Sequence, residues 1–211
     1  MMKTPPRFAD LHPLLREKIY KTAALHEKPH PERLLVLIWG HRSVAEQLKA
    51  YGDGFSKLDG VRKVSYHNYL PSLAADIWVY TDGAWESAEI IEGRPPKDKG
   101  FVLQLMERRA FRTFYRPLGK IARKVGLKWG GSWGDGPHFQ LSRRDRIRAV
   151  QDALQRCGFA PGPIDGVHGP KTRAAIRAAV RASGIKNEIE GWWRRRSMPV
   201  LPPLWAWLHA E

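Results

Sequence analysis

Residues 65–80 read Ser65-Tyr66-His67-Asn68-Tyr69-Leu70-Pro71-Ser72-Leu73-Ala74-Ala75-Asp76-Ile77-Trp78-Val79-Tyr80. From Leu73 to Tyr80 the stretch is apolar and aromatic around a single carboxylate, and the turn signal Asp82-Gly83 follows it, so it reads as a strand. Just ahead of it stands an imidazole, His67, in a short polar segment. A histidine followed by a strand that carries Asp76 makes these two side chains candidates for one polar site.

Working outward, Leu34 to Trp39 is a short apolar run stopped by Gly40, the signature of a buried strand, and Ser43 to Tyr51 reads as a helix after it. Gly40-His41-Arg42 therefore sits at a strand-to-helix junction. Upstream, Leu11, Leu14, Leu15, Ile19, Ala23 and Leu25 recur at roughly helical spacing until Pro29 and Pro31 end the pattern. Gly52 to Gly60 is a glycine-punctuated loop. Residues 94–128 open as a charged, Pro-containing loop and continue as one or two basic helices to Gly126. Trp129 to His138 is too glycine-rich for a helix, and Phe139-Gln140-Leu141 reads as a short strand.

The character changes at Ser142. Ile147, Val150, Leu154 and Cys157 follow helical spacing, Gly158 to Gly169 is turn-rich, and Lys171 to Ser183 is an Ala/Arg helix. The spacing thus predicts three segments: a first domain over 1–142, a small helical domain over 143–186, and a tail over 187–211 rich in Trp, Arg and Pro.

Composition narrows the chemistry. The 211 residues leave room for one medium domain with a small appendage, and 43% hydrophobic residues suffice for a core. One cysteine, Cys157, excludes a disulfide framework, a four-cysteine zinc ribbon and a paired-cysteine redox centre. Any metal must rest on His and carboxylates. The N-terminal residues lack the apolar core of a secretory signal, and the longest apolar run is far short of the ~20 residues of a membrane-spanning helix. The net charge of +15 points to a polyanionic partner. It is concentrated in residues 94–128, net +9, and residues 143–196, net +8.

Two imidazoles and a carboxylate, His67, His138 and Asp76, form a ligand set that leaves a fourth position open, as catalytic zinc requires. His12, His26, His30, His41 and His209 read as ordinary histidines.

Four motifs, in order, resemble the zinc peptidases of the D-alanyl-D-alanine carboxypeptidase and L-alanyl-D-glutamate endopeptidase type, which include phage endolysins. They are Gly40-His41-Arg42-Ser43-Val44-Ala45-Glu46-Gln47, the Ser65 to Asp76 segment, Trp129-Gly130-Gly131-Ser132-Trp133, and Asp135-Gly136-Pro137-His138-Phe139. The resemblance implies an α+β fold in which a small antiparallel sheet with flanking helices holds a zinc site. It makes His67, Asp76 and His138 the zinc ligands and Asp135 the general base. Arg42 would stabilise an oxyanion or hold a substrate carboxylate, or else pair with Glu46. Ser65 and Gln47 are candidates for orienting a ligand, and Trp129 and Trp133 read as packing. The sequence departs from the family pattern in the His67-to-Asp76 spacing, in Ser132 where the family has Asp, and in the single residue between Trp133 and Asp135.

The elements Gly162-Pro163-Ile164-Asp165-Gly166 and Gly169-Pro170-Lys171-Thr172 resemble the three-helix peptidoglycan-binding domain. Together the two resemblances imply an endolysin-like, zinc-dependent peptidase acting on peptidoglycan stem peptides, most readily at the L-alanyl-D-glutamate bond. The alternatives are a D-alanyl-D-alanine carboxypeptidase and a noncatalytic wall-binding or nucleic-acid-binding protein. The expected partner is bacterial peptidoglycan, with an anionic outer membrane or lipopolysaccharide as a further partner for Trp192, Trp193 and Arg194 to Arg196. A nucleic-acid partner is not expected, and the chain is expected to be a monomer. Synthesis in the cytoplasm, followed by release to the wall during lysis, is the expected route.

Overall fold

The computed structural model describes residues 7–31, 33–81, 90–92, 111–185 and 198–210. The chain divides into two compact units, Met1–Asn68 with Ser72–Leu141, and Tyr69–Pro71 with Ser142–Glu211.

In the first unit, helix α1 (Pro13–Glu27) starts on a proline, whose missing N–H costs nothing where the first turn has no acceptor to meet. Leu15, Ile19 and Ala23, one turn apart, are its buried stripe. Strand β1 (Arg33–Trp39) leads through Gly40 into α2 (Val44–Gly52). Ser43 caps that helix: its hydroxyl accepts from Glu46 N while the Glu46 carboxylate accepts from Ser43 N, a reciprocal capping box. Strands β2 (Ala74–Thr81) and β3 (Ile90–Glu92) follow. Then come a π-helical turn (Phe111–Tyr115) leading into α3 (Arg116–Lys124), and strands β4 (Leu127–Trp129) and β5 (His138–Leu141).

The five strands form one sheet in the order β3-β1-β2-β5-β4, antiparallel throughout except that β3 runs parallel to β1 at the edge. Register assigns the two faces. Ala75 pairs with Phe139 and Trp129 with Phe139, while Asp76 pairs with His138 and both Ala74 and Lys128 pair with Gln140. Because neighbours along a strand point to opposite faces, Ala75, Ile77, Phe139, Leu141, Leu127 and Trp129 share the apolar side, all of them buried. Asp76, His138, Gln140 and Lys128 share the other. A bulge between Leu37 and Trp39 shifts β1 so that Trp39, rather than Ile38, stands opposite Asp76. Truncating Phe139, wholly buried in the apolar layer, would cost about 3–5 kcal/mol.

The sequence reading has no strand at 127–129 or 90–92. Both are three residues long, too short for alternation to show, and pairing with neighbours makes them strands. Of the basic insert, residues 93–110 lie outside the described residues, Arg108 and Arg109 among them, as do Trp192 to Arg196 of the tail.

The second unit contains α4 (Arg143–Arg156), capped by Ser142, α5 (Pro170–Ser183), and α6 (Pro202–Trp207). Its core holds Ile147, Val150, Leu154, Ile176 and Ala179 with Leu204, Trp205 and Leu208. Among the described residues of 143–186 there are two helices; a further described helix, α6, comes from the segment read as tail. Trp205 is fully buried there, with its indole N–H donating to Pro71 O at 3.0 Å, and Tyr69 OH donates to Val200 O at 3.1 Å. No helix among the described residues is long and apolar enough to cross a membrane.

Candidate metal centre

Three elements bring the polar side chains together. His67 lies on a single 3-10 turn (Tyr66–Asn68), Asp76 is the third residue of β2, and His138 is the first residue of β5, paired directly with Asp76. The Ser65 hydroxyl accepts from His67 N at 3.3 Å, and Asn68 Oδ1 accepts from Ser65 N at 2.8 Å, so the turn carrying His67 is closed by its own side chains. Asn68 Nδ2 also donates to Arg42 O, and Arg42 N donates to His67 O at 2.8 Å, which ties that turn to the β1–α2 junction.

One nitrogen of each imidazole is committed to a distant acceptor. His67 Nδ1 is 2.7 Å from Gly40 O, and since a carbonyl only accepts, Nδ1 carries the hydrogen. His138 Nε2 is 2.9 Å from Gln140 Oε1 and carries its hydrogen by the same reasoning. The remaining nitrogens, His67 Nε2 and His138 Nδ1, then present lone pairs. They stand 3.3 Å apart, and Asp76 Oδ1 is 3.3 Å from the first and 3.1 Å from the second. Three acceptors thus converge within 4.8 Å on buried ground, an arrangement that is repulsive unless a cation lies among them. Among the described residues this is the group that can hold a metal ion, and its two nitrogens and one oxygen suit zinc.

The protonation equilibria show the same demand for positive charge. Burial pushes the Asp76 carboxyl up, but the charge that His67 carries when protonated, and hydrogen bonds from His138 and His67 in their protonated forms, outweigh it and hold the group well below the usual carboxylate range. Burial pushes His138 down, and the hydrogen bond and negative charge of Asp76 outweigh it, leaving the imidazole above its ordinary value.

Arg42 is engaged by other protein groups. Its guanidinium does not pair with Glu46, which is occupied with the Ser43 cap. Nη2 reaches the outer oxygen of Asp76 at 3.4 Å, Nη1 donates to Gln47 Oε1 at 3.1 Å, and the plane stacks on Trp39 at 4.7 Å. Gln47, fully buried, is itself held by Ser56 and by Leu58 O. The result is a relay from the loop after α2 through Gln47 and Arg42 to Asp76, with one carboxylate oxygen for the guanidinium and the other for the imidazole pair.

Asp135 stands outside the trio, on the turn between β4 and β5. Burial of its carboxyl, and next the negative charge of Asp76, push it above its ordinary value. The turn is shaped by close approach: a side chain on Gly130 would strike the Asp135 carbonyl and His138 Cβ, and side chains on Gly119 or Gly131 would run into the Trp129 ring. The Trp129 indole N–H donates to Gly136 O at 2.7 Å. Trp129 therefore packs, as the sequence suggests. Trp133 does not. It is 49% exposed, its ring standing edge-on to His138 with centroids 5.8 Å apart. The sequence reading misses Gly40, Asn68 and Gln140. Gln140 alone left a trace, since a residue two beyond His138 on a strand must share its face.

Comparison with known proteins finds a family match over the region that holds these residues. Residues 59–141 match the family described as D-alanyl-D-alanine carboxypeptidase. This part of the chain is similar to that family. The match includes all three converging side chains and Asp135. Residues 143–186 match the peptidoglycan binding domain family, so the two family matches adjoin along the chain. The L-Ala D-Glu endopeptidase ChiX of Serratia marcescens is similar at 22% identity, over 65% of this chain and 85% of that one, with a TM-score of 0.39. Among curated proteins, the glutamate–tRNA ligase of Bordetella petrii is 34% identical over 79 residues, 37% of this chain and 16% of the ligase. That of Paraburkholderia phymatum is 32% identical over 108 residues, 50% of this chain and 22% of the ligase. The chain thus spans less than a quarter of the length of these relatives.

Proposed function

We propose that the chain is a zinc-dependent, endolysin-like peptidase that hydrolyses stem peptides of bacterial peptidoglycan, at the L-alanyl-D-glutamate bond. The observation that carries this reading is the convergence of two imidazole lone pairs and one carboxylate oxygen, each fixed from behind by a hydrogen bond or ion pair. His67, Asp76 and His138 would hold the zinc, which when bound supplies a Lewis acid for the scissile carbonyl and the attacking water. The protein's own groups do the rest. Gly40 O and Gln140 Oε1 fix the tautomers. Arg42, through Asp76, offsets part of the negative charge of the ligand set and holds the carboxylate in place. Asp135, with its affinity for a proton raised, accepts the water's proton and returns it to the leaving amine.

A terminal carboxypeptidase needs a cation free for the substrate's end carboxylate. Arg42 is buried and occupied by Asp76 and Gln47, so it is not that cation. Mass spectrometry of a digest of purified peptidoglycan tests the reading. New alanine carboxyl ends and glutamate amino ends are expected; release of free D-alanine instead would establish the carboxypeptidase.

A further inference from the structure

The polar face of the sheet carries one more charged residue that the catalytic reading does not use. Lys128 on β4 pairs with Gln140, the residue that fixes His138, so its side chain rises from the same face as the ligand set. Among the described residues no carboxylate lies within ion-pair distance of it. Its ammonium stands 5.1 Å from the centroid of the Trp133 ring, and that ring in turn meets His138 edge-on. Lys128 and Trp133 are both exposed, although Trp133 is a large aromatic beside a buried polar centre. A cation held over an aromatic face next to a hydrolytic site is a receptor for a group that is both apolar in its stem and negative at its end.

We propose that Lys128 and Trp133 form the subsite for the residue on the leaving-amine side of the scissile bond, and that they select for a free carboxylate on it. This rests on the peptidase reading above. A glutamate whose amine is in the cleaved bond keeps at least one carboxyl group that can be free or amidated, and only the free form gives Lys128 a partner. Trp133 packs against the methylenes of that residue and keeps the ammonium aimed across the site. Neither residue touches the reacting atoms; both position substrate and set its charge.

The test uses the zinc-loaded full chain and two synthetic stem peptides that differ only in whether the glutamate carboxyl adjoining the cleaved bond is free or amidated. Wild type is expected to prefer the free acid by about fivefold in kcat/KM, the scale of an exposed ion pair, expressed in KM rather than kcat. Lys128→Ala should abolish the preference, Lys128→Glu should invert it, and Lys128→Arg should retain it, all with unchanged zinc content. Trp133→Ala should raise KM for both peptides, and Trp133→Phe should restore most of the loss. A preference that survives Lys128→Ala and Lys128→Glu overturns the proposal, as does a wild type that cuts both peptides equally. If wild type cuts neither peptide, the peptidase reading falls; calorimetric binding of the same two peptides then decides the subsite, and equal affinities would overturn it.

Discussion

Each unit of the chain buries a cluster of polar side chains, and the two clusters are built on opposite principles. In the helical unit, Gln151 is almost completely buried, its amide N–H groups facing Asp165 Oδ1, Val167 O and Thr172 Oγ1, all at 3.1 Å, and its Oε1 accepting from Gly166 N at 2.9 Å. Every donor meets an acceptor, and the cluster is complete as it stands. At His67, Asp76 and His138 three acceptors meet one another, and their hydrogens point outward to Gly40 O and Gln140 Oε1. That cluster requires something the chain does not supply. Burial and polarity alone would treat the two alike; the direction of the hydrogens separates a structural network from a site.

The contrast can be broken experimentally, and the largest effect is expected at the incomplete cluster. His67→Ala should abolish wall digestion and zinc retention together, read by turbidity clearing and elemental analysis. Asp135→Asn should lower digestion by roughly 10²–10⁴-fold, the usual contribution of a general base, while zinc stays bound. Removing zinc with a chelator should destabilise the first unit, by about 2.7 kcal/mol relative to protein at a free zinc concentration 100 times its Kd. Hydrogen exchange should show that loss in β2 and β5 and no change in α4 and α5. Gln151→Leu should do the reverse, costing the helical unit about 2–3 kcal/mol through stranded partners while cleavage of a small soluble peptide is unaffected.

The smallest effect concerns acid. The Asp165 carboxyl is held below its ordinary value, chiefly by the Val167 N–H and then by the Gln151 amide. A group whose folded pKa is depressed contributes stability that is fully present above its unfolded pKa of about 3.9 and lost as pH falls through the lower, folded value. The helical unit should therefore soften below about pH 4, and Asp165→Asn should remove that dependence. Thermal melts between pH 6 and pH 2 of both forms would show it.

Much of this was legible in the sequence. The strands at 34–39 and 73–80, helix α1 and the Ser43 cap follow from local pattern, because each is long enough for periodicity or carries its own capping chemistry. The three side chains that converge are legible because they lie within motifs. What the sequence hid is set by pairing across the sheet: β4 exists only through β5, Gln140 matters only because it lies on the His138 face, and Lys128 only because it pairs with Gln140. The role of Arg42 was half visible. Its place at a strand-to-helix junction follows from local pattern, whereas its partners, Asp76 and Gln47 in place of Glu46, do not. Trp129 and Trp133 look equivalent in sequence, and glycines that admit only one of them into the interior decide between packing and exposure.

The bulge in β1 sets a rule for rebuilding this protein. With Ile38 as the extra residue, Trp39 faces Asp76 and provides the platform on which Arg42 lies. Straightening β1 with no residue removed would set Ile38 opposite Asp76 and deliver the indole to the apolar layer, so the guanidinium would lose its seat without any change to itself. Grafts that recombine this strand with a related one must carry residues 38–42 as a single cassette, cut within the regular pairing before the bulge rather than at the glycine after it.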